Sequence, residues 1–471
     1  MDGFPTMGVP NTGDTAWMLA SAALVLLMTP GLAFFYGGMV RAKNVLNMIM
    51  MSISAMGLVT VLWVLYGYSL AFGNDVSGLF GDPAQFFGLK GLIGGNGAEA
   101  VAADPANAVD AVAAVNIPLV GTIPATVFVA FQLMFAIITV ALISGAVADR
   151  LKFGSWLLFA GLWVTVVYFP VAHWVFAFDG VAAEKGGWIA NQLKAIDFAG
   201  GTAVHINAGT AGLVLALMLG KRKGWPGTPM RPHNLPFVML GAGLLWFGWY
   251  GFNAGSATSS NGLAGSTFVT TTVATAAAML GWLLTERVRD GHATSLGAAS
   301  GIVAGLVAIT PSCSSVNVVG ALAIGVIAGI LCALAVGLKY KLGFDDSLDV
   351  VGVHLVGGIV GTLLIGLFAA PETGAAVAGL FYGGGLEQLW RQAAGAGAVL
   401  LYSAIGTAIV AVIVKYTIGL RISDEGEAAG ADESQHAEGA YDFVALGVGS
   451  VIGNFGVSQT EGRPLISNRE A

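Results

Sequence analysis

The feature that most constrains this chain is a series of apolar stretches, each about 20 residues long, recurring from near its start to residue 420. Hydrocarbon offers no water to pair a backbone N–H or C=O, so a chain entering it must close those bonds internally, and a helix does so within one segment. The spacing predicts eleven such helices, at about 15–36, 45–73, 120–148, 153–176, 198–220, 235–257, 267–285, 293–310, 316–338, 350–370 and 393–420. The expected fold class is an all-α polytopic membrane protein. Only 10% of residues are charged and 56% are hydrophobic, against about 25% charged in a soluble domain. A soluble enzyme, a disordered chain and a nucleic-acid binder are all excluded on that ground.

Charge gives the expected orientation. Asp2 and Asp14, not a basic segment, precede the first apolar run, which therefore reads as a span starting outside and not as a cleaved signal. The connections that then face the cytoplasm carry Arg41, Lys43, Arg150, Lys152, Lys221, Arg222, Lys223, Arg287, Lys339 and Lys341, whereas the external loops are mostly acidic. Three parts follow: an extracytoplasmic N-terminus over 1–14, a membrane domain over 15–420 and an acidic cytoplasmic tail over 421–471. The tail accounts for −6 of the net charge of −7 and reads as loosely ordered. Cys313 and Cys332 make neither a disulfide framework nor a metal cluster and read as small buried thiols.

Two segments match at an offset of 149 residues, Ala203-Val-His205-Ile-Asn-Ala-Gly209-Thr-Ala-Gly212 and Gly352-Val-His354-Leu-Val-Gly-Gly358-Ile-Val-Gly361. Each follows an acid, taken as Asp197 and Asp349. They fall in the fifth and tenth spans, so the copies cross the membrane in opposite directions: a five-plus-five inverted repeat, about 15–220 and 235–370, with the last helix at about 393–420 outside it. A match this short also arises by chance in a Gly-rich chain. His205 and His354 lie well inside their spans, one entering from each side, and an intramembrane ionisable residue is a functional-site hypothesis. Two imidazoles side by side in a dry lumen stay neutral, one ring N–H donated to the other, with the remaining nitrogens free for a small neutral guest. The alternative is a hydrogen bond that only packs two helices. Without a nearby carboxylate they make a poor metal site, and no nucleophile accompanies them, so neither a cofactor nor an enzyme is expected. His173 reads as an interface residue at the outer end of span four, and His233 as positioning span six.

Four motifs then carry a resemblance: Phe34-Phe-Tyr-Gly-Gly38, Asp197-Phe-Ala-Gly-Gly201 running on to His205-Ile-Asn207, Gly248-Trp-Tyr-Gly-Phe-Asn-Ala-Gly-Ser256, and Asp349 followed by Gly352-Val-His354. Over roughly residues 12–442 the chain resembles the ammonium transporter family (Amt/Mep, related to Rh proteins). The resemblance implies eleven spans per subunit, a homotrimer with one pore per subunit, and a place in the cytoplasmic membrane with the tail inside. It implies twin lumen histidines at His205 and His354, and two stacked phenylalanines at the outer mouth, placed at Phe131 and Phe252. It implies an external ammonium site of Phe131, Phe176, Ser256 and the buried acid Asp197, which mainly organises backbone. Phe176 stands where the family usually carries tryptophan, which implies a weaker cation-binding face. The tail portion Gly426–Tyr441 resembles the family's tail, which packs under the subunits and couples them to a PII-type signalling protein, with Lys221, Arg222, Lys223 and Arg287 beside it; Ala431-Asp432 departs from the family's larger apolar residue, implying looser docking.

The function implied is ammonium uptake, with methylammonium as a possible second substrate. Ammonium is recruited outside and loses a proton, and ammonia crosses the pore, because carrying the intact ion through a dry lumen costs many kcal/mol. Potassium, unable to deprotonate, is rejected. The alternatives are an ammonium sensor with little transport and an Rh-type neutral gas channel. The long external loop 76–119 either covers the vestibule or is tolerated surface.

Overall fold

The structure, a computed structural model, describes residues 4–100, 111–228 and 230–441. Among the described residues, ten helical stretches are long and apolar enough to cross a membrane: α1 Thr12–Met39, α2 Ala42–Phe72, α3 Ala125–Val147, α4 Phe153–Phe176, α5 Gly201–Leu219, α6 Leu235–Ala257, α7 Gly262–Asp290, α9 Val318–Leu342, α10 Val351–Phe368 and α11 Glu387–Thr417. Between α7 and α9, α8 runs over Ser295–Ile309, an apolar helix of 15 residues. It occupies the place of the expected eighth span, but it is shorter than the others. Side chains hold several of these starts: Asn11, Asn234, Asn261, Thr294 and Asn317 each accept a backbone N–H of the first turn, which supplies donors that no intrahelical carbonyl can reach.

Small residues set the packing. A Cβ on Gly241 would strike the α1 backbone at Phe35, and one on Gly329 would strike the carbonyl of Ala278. The α1–α6 and α7–α9 pairs thus approach at backbone distance, as helices do in lipid where dispersion drives association. Apolar side chains also line the outside of the bundle: Leu240 is 51% exposed, Phe247 57%, Leu280 62% and Leu401 61%. Such exposure suits hydrocarbon and would be a liability in water.

Beside the start of α1 the chain builds a small sheet that the sequence did not announce. Strand β1 Thr6–Gly8 pairs antiparallel with β4 Ile117–Val120, which pairs with β5 Ile123–Pro124. A hairpin, β2 Asp75–Val76 with β3 Phe80–Gly81, opens the long loop between α2 and α3. That loop is tied to the end of α4, where Trp174 donates to the Leu79 carbonyl at 2.8 Å. Its acids Asp104 and Asp110 lie outside the described residues.

The tail departs from the expected loose segment. Helices α12 Asp424–Ala429 and α13 Ala431–His436 dock on the starts of α2 and α4. Asp432 accepts the Asn47 N–H at 2.8 Å, Ala431 donates to Asn44 Oδ1 at 2.7 Å, and His436 packs edge-on to Phe153. Net charge alone misleads here, because the docking rests on specific pairings: Asp432 takes a backbone N–H of α2, and Ala431 gives its own to the Asn44 side chain. Ala431 is fully buried in this contact. Of the four basic loop residues expected beside the tail, Lys223 reaches it, pairing with Asp424 at 3.3 Å. Arg222 instead pairs with Asp345 at 2.8 Å and Asp149 at 3.3 Å. Burial pushes the Asp345 carboxyl up, but the Arg222 guanidinium outweighs burial and holds it below its ordinary value. Residues 442–471 lie outside the described residues.

Candidate functional site

Both histidine-bearing segments begin as π-helix, over Gly201–Ile206 and Val351–Leu355, before turning α-helical. Wide turns of this kind are frequent at functional positions. Each is opened by a buried aspartate. Asp197 Oδ1 accepts the N–H of Gly200 at 2.8 Å and of Gly201 at 2.6 Å, and Oδ2 accepts those of Thr202 at 2.8 Å and Ala203 at 3.1 Å as well as the Thr202 hydroxyl. These bonds occupy the acceptor sites of a carboxylate, so Asp197 organises backbone. Its mate at the 149-residue offset is Asp346, which accepts Val350 N–H at 3.1 Å and Val351 N–H at 2.8 Å. The sequence expectation of Asp349 is corrected: Asp349 pairs with Lys339 at 2.7 Å and takes no part in the cap.

Close packing then brings the two imidazoles together. A Cβ on Gly209 would strike the Leu355 backbone, and one on Gly358 would lie 3.2 Å from the Cβ of His205. The glycines matched in sequence are therefore what allows the segments to meet. Nδ1 of His354 lies 3.3 Å from Nδ1 of His205, and the rings stack with centroids 5.4 Å apart at 19°. One nitrogen must carry the proton and the other accept it. Nε2 of His205 is buried and has no partner. Both rings line an enclosed lumen whose other walls are Met28, Leu32, Ile138, Leu142, Val204, Leu245, Trp249, Phe252 and Val303. Its volume is about 10 Å³, room for about one small guest.

Above the lumen, the stacked pair of phenylalanines is Phe135 and Phe252, with centroids 4.2 Å apart at 25°. This corrects the expected pairing of Phe131 with Phe252. Phe131 sits one helical turn away and meets Phe135 edge-on at 4.9 Å. Phe176 is also edge-on to Phe135, at 6.3 Å. The Ser256 hydroxyl donates to the Phe252 carbonyl at 2.8 Å, leaving its oxygen free to accept. Phe131, Phe135, Phe176 and Phe252 thus form one aromatic cluster, and Ser256 is tied to it through the Phe252 carbonyl.

Sequence reasoning missed Phe135 and Trp249. Phe135 follows Phe131 by four residues and so shares its face of the helix. Trp249 stacks on His205 at 5.4 Å and 17°; it lay inside a quoted motif without a role. His173, read as an interface residue, is fully buried, within 3.1 Å of the Ala71 carbonyl and 3.2 Å of an Asp75 carboxylate oxygen. His233, read as positioning span six, precedes α6 and lies 2.9 Å from the Val40 carbonyl at the end of α1 and 2.9 Å from the Tyr441 hydroxyl. Among the described residues no group of three or more His, Cys, Asp or Glu is arranged to hold a metal ion.

A bundle of apolar helices around a one-guest lumen with largely apolar walls and paired imidazoles defines a membrane channel or transporter for a very small polar molecule. The ammonium transporter family model matches residues 16–441, and the chain belongs to that family. It is 77% identical over 458 residues to an ammonium transporter of Mycobacterium tuberculosis, covering 96% of this chain and 94% of the relative. Its fold matches the crystal structure of Saccharomyces cerevisiae Mep2 with a TM-score of 0.77 and 33% identity, covering 88% of each chain. A structure described as a sensor Amt protein matches with a TM-score of 0.78 and 27% identity, covering 90% of this chain and 98% of that one. The chain is a transport protein for ammonium and not an enzyme, and its twin-histidine pair fits the ammonium recruitment and conduction mechanism of the family.

Proposed function

We propose that ammonium is held outside at Phe135, Phe176 and Ser256, gives up a proton to water there, and passes as ammonia between Phe135 and Phe252 to His205 and His354. Whether the proton stays outside or crosses by a separate route is what the current measurement below distinguishes. The observation that carries this reading is the one-guest lumen behind the stacked pair, with His205 Nε2 buried and unpartnered. A cation entering it would exchange its whole hydration shell for apolar walls and neutral nitrogens, at a cost of several kcal/mol or more. Ammonia needs only one donor and one acceptor, which a neutral imidazole pair supplies. Phe131, behind Phe135, backs the outer site, and Asp197 shapes its floor through the backbone.

The membrane arrangement belongs to the same proposal. We count α8 as an eleventh span, with the N-terminus outside and the tail inside, a homotrimer as the assembly and the cytoplasmic membrane as its place. Support for a five-plus-five inverted repeat comes from the matched Asp197 and Asp346 caps, the two π-helical starts and the Gly209 and Gly358 contacts. The docked tail is the element we assign to a PII-type partner at the cytoplasmic face, since it bridges the loops at Asn44, Lys223 and Phe153.

An ammonium pulse applied to proteoliposomes, with current and internal pH recorded together, tests the reading. A sustained current argues for transport of net charge, and alkalinisation without current argues for neutral gas conduction. A chain that yields neither while binding ammonium is a sensor, the reading that the match to the sensor Amt structure keeps in view.

A further inference from the structure

The ring of His205 is held by little. One nitrogen meets His354 at 3.3 Å, the other is unpartnered, and the ring stacks on Trp249. Trp249 is itself fixed by a polar chain outside the lumen. Its indole N–H donates to Thr310 Oγ1 at 2.8 Å; that hydroxyl lies 2.7 Å from the Leu306 carbonyl and 3.2 Å from Asn253 Oδ1. Asn253 in turn donates to Thr271 Oγ1 at 3.0 Å. Thr310, Asn253 and Thr271 are completely or almost completely buried and tie together α6, α7 and the end of α8. The hydroxyl of Thr310 has a single proton, so it can donate to Leu306 or Asn253 while accepting from Trp249. A lone indole N–H in this surrounding would be unsatisfied, so the chain dictates where the indole plane sits.

We propose that Thr310, with Asn253 behind it, is a positioning residue: it sets the plane of Trp249, and through the stacked indole the plane of His205, and so fixes how closely the lumen fits ammonia. Neither Thr310 nor Asn253 is among the residues lining the lumen. The effect passes through the ring they hold. The proposal rests on His205 acting in the lumen as described above.

The test is the ratio of methylammonium to ammonium uptake in proteoliposomes. It uses the wild type, Thr310→Val, Thr310→Ser, Trp249→Phe, the double variant Thr310→Val with Trp249→Phe, and His205→Ala, each confirmed monodisperse. Thr310→Val should shift the ratio severalfold, and Thr310→Ser, which keeps the hydroxyl, should retain the wild-type ratio. Trp249→Phe keeps a ring face and loses the N–H, so it should shift the ratio in the same direction, and the double variant should go no further than either single one. A wild-type ratio in Thr310→Val, or equal shifts in the Val and Ser variants, overturns the proposal. Should Thr310→Val fail to fold, Trp249→Phe decides: an unchanged ratio overturns it. If His205→Ala leaves the ratio unchanged, the lumen reading itself fails; if it shifts the ratio and Thr310→Val does not, only the positioning role fails.

Discussion

Phe135 lies flat against Phe252 with centroids 4.2 Å apart, directly above the lumen that His205 and His354 line. Two offset rings at this distance form a stable contact, yet nothing but dispersion and ring electrostatics keeps them closed, so brief separation is open to a guest of ammonia's size.

The seal is therefore expected to depend on Phe135 and not on Phe131. Phe135→Ala should raise the uptake ratio of methylammonium to ammonium, while Phe131→Leu, which keeps apolar volume, should leave that ratio near wild type. Radiotracer uptake by both variants checks this, and the reverse ranking would restore Phe131 to the gate.

Phe176 meets Phe135 edge-on at the mouth. Phe176→Trp widens the face offered to a cation and should add about 0.5–1 kcal/mol of attraction, a severalfold lower half-saturation concentration. Phe176 is 93% buried, so crowding of the larger ring works against the gain. Initial rates at low ammonium measure the balance; an unchanged or higher half-saturation value in a folded variant denies Phe176 this role.

Asp197→Ala strips the acceptor from four backbone N–H groups and the Thr202 hydroxyl. Each buried donor left unpaired costs about 1–3 kcal/mol. The variant should melt well below the wild type in detergent and lose uptake, whereas Asp197→Asn, still an acceptor at one oxygen, should fall between. A wild-type melting temperature for Asp197→Ala would show that the cap is dispensable.

Asp346 supplies a pH dependence. Burial pushes its carboxyl up to about 6, with Lys339 opposing and Asp349 adding to the rise. A carboxyl with a raised folded-state pKa contributes its stability below the unfolded value of about 3.9 and loses it as pH rises to the folded value. Wild-type melting temperature should therefore fall, relative to Asp346→Asn, as pH goes from about 4 to about 6. Parallel pH profiles for the two proteins would remove Asp346 as the cause.

Much of this architecture is legible in sequence because the bilayer reduces the problem to length and hydropathy. The expected 153–176 is α4 to the residue, and 235–257 is α6. The histidine pair was legible through the 149-residue offset, which also contained Asp346, hidden by the nearer Asp349 of the quoted motif. Phe135 was not picked out, because two phenylalanines on one helical face are equivalent until the partner helix is placed. The docked tail was legible only through the resemblance of Gly426–Tyr441 to the family's tail, because its acidic composition suggests solvent and its partners Asn44, Asn47 and Phe153 carry no local signature of the contact.

The central claim is that the imidazole pair, not the outer mouth alone, makes the pore selective for a neutral guest. The most direct measurement is ammonium uptake and potassium permeation in proteoliposomes carrying wild-type protein or His354→Ala, with folding and assembly verified. The account predicts that His354→Ala loses wild-type selective ammonium uptake or admits potassium. Wild-type ammonium uptake together with wild-type potassium exclusion in that variant would contradict it and reduce the pair to a helix-packing contact.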